Sequence, residues 1–220
     1  TPLTDPLDAE LGKGHWDWGS LIDCFMTASC TGNQVPSSAG YMDQSLYDSA
    51  VAQSEFSYFW KMKWNRNQWP KLGMSDTLYN VRINADAAIN NNEGYKKFVL
   101  YSAHDTSVIP YVDALLGDTG AMDLWAPYAS YVTMELYKGK DGTDGEGKYY
   151  FRSIYNGQTL QLSGCPDPAT SPTGSLCDAT TVMSSTLGYA EQNGGSKDNG
   201  TGCYQAVDPV DDGCDPKDDD

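Results

Sequence analysis

The sequence is poor in positive charge, in histidine and in long apolar runs. It has 14 lysine and arginine residues against 30 aspartate and glutamate residues, which gives a formal net charge of -16 over 220 residues. Such a charge repels nucleic acid and anionic membrane surfaces at long range, so we expect neither as a partner. No stretch approaches the roughly 20 apolar residues of a membrane helix, and no membrane span is expected in this segment. With only His15 and His104 and no Cys-x-x-Cys pair, a zinc site is not expected either.

The cysteines and a sequon indicate an oxidising compartment. Six cysteines form three pairs that are close in sequence: Cys24 with Cys30, Cys165 with Cys177, and Cys203 with Cys214. An even number at short spacing is typical of a disulfide framework. The sequence does not select among the possible pairings, and pairing within each close pair is our first expectation. Asn199, in an Asn-Gly-Thr triplet, is a glycosylation candidate. The start lacks both an initiating Met and a signal peptide, so we expect a mature or internal segment of a secreted protein.

Helical periodicity dominates residues 17–93, which follow an extended lead-in expected over 1–16. Asp17 is placed to cap a first helix that ends before Gly32, and a long helix is expected from about 42 to 65, with Pro70 ending that region. An aromatic stripe on the long helix is expected to face a core, with a partner-binding surface as the alternative. The stripe comprises Phe56, Phe59, Trp60 and Trp64. A third helix is expected from Ser75, with a buried face of Leu78, Val81, Ala85, Ala88 and Ile89.

Residues 94–188 have the pattern of an α/β unit. The apolar run 98–101 predicts a strand buried on both faces, and 106–116 predicts a helix closed by Gly117. Two alternating stretches, 131–137 and 148–155, predict a β-hairpin, and Asn156-Gly157 predicts a tight turn into a strand over 158–162.

Residues 189–220 form a Gly- and Asp-rich acidic tail, in which little regular structure is expected. Calcium binding is the alternative, but the spacing of a calcium loop is absent.

His104 and Asp105 are the candidate catalytic residues. They occupy the turn between the expected strand and the following helix, where open α/β sheets bind their ligands and where a helix N-terminus favours an anion. A phosphate could therefore bind at this turn. The alternative is structural, with His104 hydrogen-bonded into the fold and Asp105 capping the helix.

Three stretches resemble the C-terminal half of the histidine acid phosphatases, branch 2 of the histidine phosphatase superfamily. They are VLYSAHDTSV, PYASYVTMEL and YYFRSIYNGQTLQL, in this order and followed by a cysteine loop. The family includes prostatic and lysosomal acid phosphatases and, more distantly, phytases. The resemblance implies an α/β fold, the C-terminal part of a doubly wound mixed sheet with an inserted helical region. It also implies a secreted, extracellular or lysosomal phosphomonoesterase that needs no metal or cofactor.

The resemblance further implies a reaction through a phosphohistidine. In the family, the histidine of an Arg-His-Gly motif attacks phosphorus. Asp105 matches the residue that protonates the leaving alkoxide and later activates water, and His104 matches a donor to the phosphoryl oxygens. No Arg-His-Gly occurs here, and His15 precedes a helix, as a surface or capping residue would.

The absent motif leaves two classes of protein open. We expect the nucleophilic half to come from the rest of the same protein or from a processed partner chain, because an unpaired apolar strand at 98–101 would be an aggregation hazard. This segment alone is expected to be inactive. The alternative is a catalytically inactive phosphatase-fold structural or filament-forming extracellular glycoprotein, and a phytase-like phosphatase is a second alternative. A homo-oligomer is compatible with either class.

Overall fold

The structure is a computed structural model that describes residues 3–37, 40–140 and 146–188, except for the side chains of residues 64–66 and 118. The acidic tail, Cys203, Cys214 and the sequon at Asn199 lie outside the described residues. The chain divides into two compact units, of which the first ends at Lys61 and the second begins at Met62. In the described part, every helix is too short or too polar to cross a bilayer.

The first unit begins with a helix, α1 (Thr4–Leu11), where an extended lead-in was expected. That expectation is wrong because Leu3, Leu7 and Leu11 recur every four residues and pack on one side against the core of this unit. Leu7 is completely buried. Pro6 lies in the first turn, where its missing N–H costs no helical hydrogen bond.

The second helix, α2 (Trp18–Cys30), confirms the capping expectation. The Asp17 side chain accepts hydrogen bonds from the backbone N–H groups of Gly19 and Ser20, at 3.0 and 3.1 Å. The apolar face of α2 is buried in the core of this unit, and Phe25 stacks on Tyr47 with ring centroids 5.0 Å apart. Two short strands, β1 (Pro36–Ser37) and β2 (Gly40–Tyr41), pair antiparallel before the next helix.

The long helix α3 (Gln44–Gly73) continues past Pro70, where it was expected to have ended. Asn67 has φ of 59°, a left-handed conformation that asparagine tolerates better than most residues. This break in the regular geometry places Pro70 within the first turn after Asn67, where a proline does not displace a helical hydrogen bond. The backbone N–H of Met74 then bonds to the Pro70 carbonyl at 2.9 Å.

The aromatic stripe of α3 is only partly a core face. Phe59 is buried at 4% exposure, but Phe56 and Trp60 are 65% and 53% exposed. The expectation that all of these rings pack inward is therefore wrong for Phe56 and Trp60. The side chain of Trp64 lies outside the described residues.

The second unit contains the remainder of α3 and the later elements. They are α4 (Ser75–Ile89), α5 (Asp105–Leu116), a 3-10 turn (Gly117–Thr119), β3 (Val132–Lys138), β4 (Tyr149–Tyr155), β5 (Gln158–Thr159), β6 (Cys177–Asp178) and α6 (Ala179–Ser184). The strand order is β3-β4-β5, and β6 also pairs with β4. Helices and antiparallel sheets together give the α/β content that the sequence predicts. The division expected at residue 94 is not observed, because Leu78 and Ala85 of α4 pack into the same core as Leu115 and Phe151.

The expected hairpin is formed by β3 and β4. Glu135 of β3 lies opposite Arg152 of β4, and the register continues without a slip from Val132 to Lys138. Asn156 and Gly157 have φ of 47° and 84°, which is the pair of positive values that a type I′ turn needs. The strand after this turn is shorter than expected, since β5 covers Gln158–Thr159 only.

The buried strand expected at 98–101 is not formed. These residues lie in no helix or strand and, within the described part of the chain, pair with no other segment. Phe98 and Leu100 are each 80% exposed, and Val99 and Tyr101 are also exposed. A strand needs neighbouring strands to satisfy its backbone, and the described residues of this chain provide none at this place.

Candidate active site

His104 and Asp105 lie at the N-terminus of α5. His104 is the N-cap, with an extended backbone and no capping hydrogen bond from its side chain, and Asp105 is the first helical residue. The His104 carbonyl accepts from Ser107 and Val108, both at 2.9 Å, so the backbone rather than the imidazole begins the helix. Both side chains are exposed. Among the described residues, the His104 side chain thus makes no capping hydrogen bond to α5.

Both oxygens of the Asp105 carboxylate accept a hydrogen bond. Oδ1 accepts from the backbone N–H of Thr106 at 2.6 Å. Oδ2 accepts from the indole Nε1–H of Trp125, also at 2.6 Å, across 20 residues of sequence. A carboxylate in the first turn also lies at the positive end of the helix dipole. The carboxylate is thus held by two donors and remains open to solvent.

Trp125 belongs to a loop after α5, which we call the 117–125 loop. The Asn67 amide donates to the carbonyls of Gly117 and Gly120, at 2.6 and 2.8 Å. The Asp113 carboxylate accepts from the Met122 backbone N–H at 2.6 Å. Asn67 and Asp113 are both buried, so these hydrogen bonds are at least partly shielded from water. The loop is therefore fixed to two helices on the way to Trp125.

A surface ion pair adds a weaker tether to the same loop. Lys63 of α3 pairs with Asp123, and both side chains are largely solvent-exposed. Exposed pairs of this kind contribute little to stability, because water and salt screen them. The hydrogen bonds of the buried Asn67 and Asp113 side chains, rather than this pair, hold the loop.

Asp113 is the buried ionisable group of this region. It lies on α5, two turns from Asp105, and its side chain is completely buried. Burial raises the pKa of Asp113 to about 6, and the hydrogen bond from Met122 and the charge of Lys63 oppose that rise only in part. The carboxyl is closed off from solvent, so its contribution is structural.

The two arginine side chains that the structure describes are engaged in bonds of their own. Arg82 donates to the Met183 carbonyl at 2.7 Å. Arg152 donates to Glu135 at 2.7 Å and lies over the Tyr137 ring. The pKa of Glu135 is lowered, first by the hydrogen bond from Tyr137 and further by Arg152. These two guanidinium groups therefore brace the second unit.

The other predicted site residues are distributed as follows. His15 is exposed in the turn between α1 and α2, as expected for a surface residue. Cys165 and Cys177 form the expected disulfide, with Cα atoms 5.8 Å apart. Cys24 and Cys30 are exposed and not bonded to each other, so that expected pair is wrong. Both lie on α2, where six residues span about 9 Å of helix axis, more than the Cα separation of about 6 Å that a disulfide allows.

Trp125 is the site residue that the sequence pattern did not identify. It is neither part of a periodic stretch nor adjacent to His104, and its loop has no turn signature that points back to α5. Only the folded arrangement brings its indole to Asp105.

A helix N-terminus presenting an exposed His-Asp pair, followed by an antiparallel hairpin, defines a candidate phosphate site on an α/β protein. Residues 48–156 match the profile of the histidine phosphatase superfamily (branch 2), a stretch that contains the His-Asp pair and the hairpin. The chain belongs to this superfamily. The resemblance stated from the motifs is thereby confirmed.

Individual relatives match over different lengths. Counting factor 60 of Dictyostelium discoideum is 31% identical over 151 residues, which cover 68% of this chain and 32% of that protein. Lysophosphatidic acid phosphatase type 6 of Mus musculus is 34% identical over 73 residues, covering 33% of this chain and 16% of that protein. The human phosphatase of the same name is 36% identical, with 33% and 15% covered. The chain thus spans a third or less of the length of these relatives.

Proposed function

We propose that this chain is part of a secreted or lysosomal acid phosphatase that hydrolyses phosphomonoesters through a phosphohistidine, with the nucleophilic histidine contributed by the rest of the protein. The observation that carries the proposal is the exposed His104-Asp105 pair at the N-terminus of α5, inside the region that matches the superfamily. Membership in the superfamily and the similarity to two phosphatases support phosphoryl transfer as the chemistry.

The two side chains have different roles in the proposed reaction. When the bond between phosphorus and the leaving oxygen breaks, the electron pair stays on that oxygen, and Asp105 donates the proton that neutralises it. The phosphoryl group is transferred to the nucleophilic histidine. In the second step the Asp105 carboxylate takes a proton from the attacking water, and His104 donates a hydrogen bond to the phosphoryl oxygens throughout.

The remainder of the protein is needed for this chemistry and for the fold. No Arg-His-Gly is present in the sequence, and Phe98 and Leu100 are exposed on a segment that pairs with nothing in the described part of the chain. The chain also spans only 32% of Counting factor 60 and 16% of the mouse phosphatase. We therefore propose that a further segment of the same protein, or a processed chain that stays attached, carries the nucleophile and pairs with residues 98–101.

The disulfide supports the proposed location. Cys165 and Cys177 are bonded and both are buried beside Phe151 and Leu162 of the core. Disulfides of this kind persist in oxidising compartments such as the extracellular space.

The test is the Asp105→Asn substitution in the intact protein. Hydrolysis of a simple aryl phosphate and of an alkyl phosphate at acidic pH is expected to fall by about a hundredfold or more. Asparagine can neither protonate the leaving oxygen nor take a proton from the attacking water, and the second of these steps is common to both substrates. Asp76→Asn, which removes an exposed carboxylate from α4, serves as the control and should leave turnover as it is. Wild-type turnover in Asp105→Asn would contradict the proposal.

One observation favours a second candidate, a phosphatase-fold protein without catalysis. The match to Counting factor 60, whose name describes no enzyme, covers 68% of this chain, whereas the matches to the phosphatases cover 33%. The two candidates differ in the sequence of the remaining protein. An Arg-His-Gly motif and acid-labile phosphate trapped on its histidine support the enzyme; a replaced histidine together with no turnover supports the second candidate.

A further inference from the structure

The Trp125 indole is the one long-range side-chain donor to Asp105 among the described residues. The Oδ1 bond goes to the next residue's own N–H and follows from the position of Asp105 in the first turn. The Oδ2 bond at 2.6 Å instead depends on the tertiary fold. An exposed aspartate can otherwise adopt several rotamers and bond to water. The indole N–H removes that freedom, since it fixes the plane of the carboxyl group.

Hydrogen bonds within its loop hold Trp125 in place. Trp125 is half-buried and ends the 117–125 loop, which the buried side chains of Asn67 and Asp113 hold. Thr119, in the same loop, donates to the carbonyl of Leu116 at 2.7 Å and is within 3.0 Å of the carbonyl of Gln161. A side chain anchored in this way can hold a reacting group in one orientation, and a misplacement of about 1 Å can cost about a hundredfold in rate.

The indole favours one protonation state of its partner. An indole N–H only donates, so it stabilises the ionised carboxylate and cannot take up the proton that the acid delivers. A hydrogen bond to a charged partner is worth more than one to a neutral partner. The contact is therefore strongest when Asp105 has lost its proton, which is the state reached as the leaving group departs.

We infer that Trp125 is a positioning residue for the general acid: its indole orients the Asp105 carboxyl toward the leaving oxygen and stabilises the carboxylate formed by proton delivery. The inference rests on the proposed function. Asp105 gives its proton to the leaving oxygen as the phosphorus–oxygen bond breaks, and the indole keeps its own hydrogen throughout. Trp125 thus acts on the step through Asp105 and does not contact the phosphoryl group.

The loss of kcat/KM in a Trp125 variant should depend on the leaving group if the residue positions the acid, and should not if its role is only structural. Proton donation matters most for a basic alkoxide and least for 4-nitrophenolate, which leaves readily without a proton. Trp125→Phe keeps an aromatic ring and removes the N–H. In the intact protein, kcat/KM for glycerol 2-phosphate is expected to fall by about tenfold and kcat/KM for 4-nitrophenyl phosphate by less than about threefold.

The control variant is Trp60→Phe, which makes the same change at an exposed tryptophan of α3. It should lower neither value. The unfolding midpoint of each variant is measured in parallel, so that a loss of folded protein is not mistaken for a loss of catalysis. An equal loss with both substrates, or no loss with either, would overturn the inference.

Two further measurements distinguish failure of the inference from failure of the proposed function. If Asp105→Asn abolishes turnover while Trp125→Phe has no selective effect, the inference fails and the function stands. If Asp105→Asn has wild-type turnover, the proposed function fails and the positioning role fails with it. The contact can also be tested without turnover: the indole N–H resonance of Trp125 should move on Asp105→Asn substitution, and an unchanged resonance would contradict the hydrogen bond.

Discussion

The Met122 backbone N–H donates a hydrogen bond of 2.6 Å to the buried Asp113 carboxylate and ties the 117–125 loop to α5. Only one carboxylate oxygen is used in this way, since Oδ2 has no hydrogen-bond partner among the described residues. A buried oxygen that carries charge without a partner is costly. This explains why burial raises the pKa of Asp113 from its ordinary value of 3.8 to about 6.

Asp113 should make the protein more stable at acidic pH than at neutral pH. The folded state binds a proton more tightly than the unfolded state, so the stabilisation is full below about pH 4 and is lost as the pH rises through about 6. The difference amounts to about 3 kcal/mol. Asp113→Asn mimics the protonated carboxyl, and its free energy of unfolding in urea should therefore lose this dependence between pH 4 and pH 7.

The comparison for this measurement is Asp76→Asn. It removes the same formal charge from an exposed position of α4, so it should retain the wild-type loss of stability between the two pH values. An Asp113→Asn profile parallel to that of the wild type would contradict a raised pKa for the buried carboxyl. This contribution of Asp113, which increases on acidification, suits the acidic working pH that we propose.

Gly117→Ala should destabilise the end of α5. Gly117 has φ of 56° and ψ of -121°, a conformation that L-residues rarely adopt. A Cβ added there would lie 2.6 Å from Oγ and 2.8 Å from Cβ of Ser163. We expect a loss of about 2 kcal/mol or more, measured by urea unfolding.

Two matched variants separate the causes of that loss. Gly73→Ala, at the end of α3, has open space for the new methyl group and no positive φ, so it should be neutral or slightly stabilising. Combining Gly117→Ala with Ser163→Gly removes the steric overlap but leaves the backbone strain, so only part of the stability should return. Full recovery in the double variant would show that strain makes no contribution.

Local signals predicted the elements that carry the site. The residues next to His104 and Gly117 in the sequence predict where α5 begins and where it ends. The β3–β4 hairpin follows from the alternation of its two strands. The pairing of β4 with β5 follows from the Asn156-Gly157 turn between them. Such features depend on sequence neighbours, and a sequence displays them directly.

Features that depend on distant partners could not be predicted in the same way. The Trp125–Asp105 hydrogen bond joins two segments that share no pattern. A proline inside a regular helix usually ends it, because it has no N–H to donate. In α3 the left-handed backbone of Asn67 places Pro70 in the first turn after the break, where no N–H is needed. The apolar run 98–101 has the composition of a strand, and whether it becomes one depends on chain segments that must pair with it.

Replacing Cys165 and Cys177 with serine should weaken the second unit. The bridge closes a loop of 12 residues and lies in the core, with Cys177 directly opposite Phe151 in the sheet. We expect a loss of about 3 kcal/mol in the free energy of unfolding. The control is Cys24→Ser with Cys30→Ser. This pair is exposed and not bonded to each other, and its replacement should change the value by less than about 0.5 kcal/mol. A comparable loss in both double variants would contradict a special role for the bridge.

The backbone of residues 98–101 should exchange its amide hydrogens at very different rates in two contexts. In the 220-residue chain these residues are exposed and pair with no described segment, so exchange should be close to that of an unstructured peptide. In the intact protein, pairing with further strands should slow exchange by at least about a hundredfold. The α5 amides of Val112 and Leu115, which are completely buried, provide the internal reference in both samples.

Fast exchange at 98–101 in the intact protein would mean that nothing pairs with this segment. The apolar side chains of Phe98 and Leu100 would then remain exposed in water, and the proposal that the rest of the protein completes the sheet would be lost.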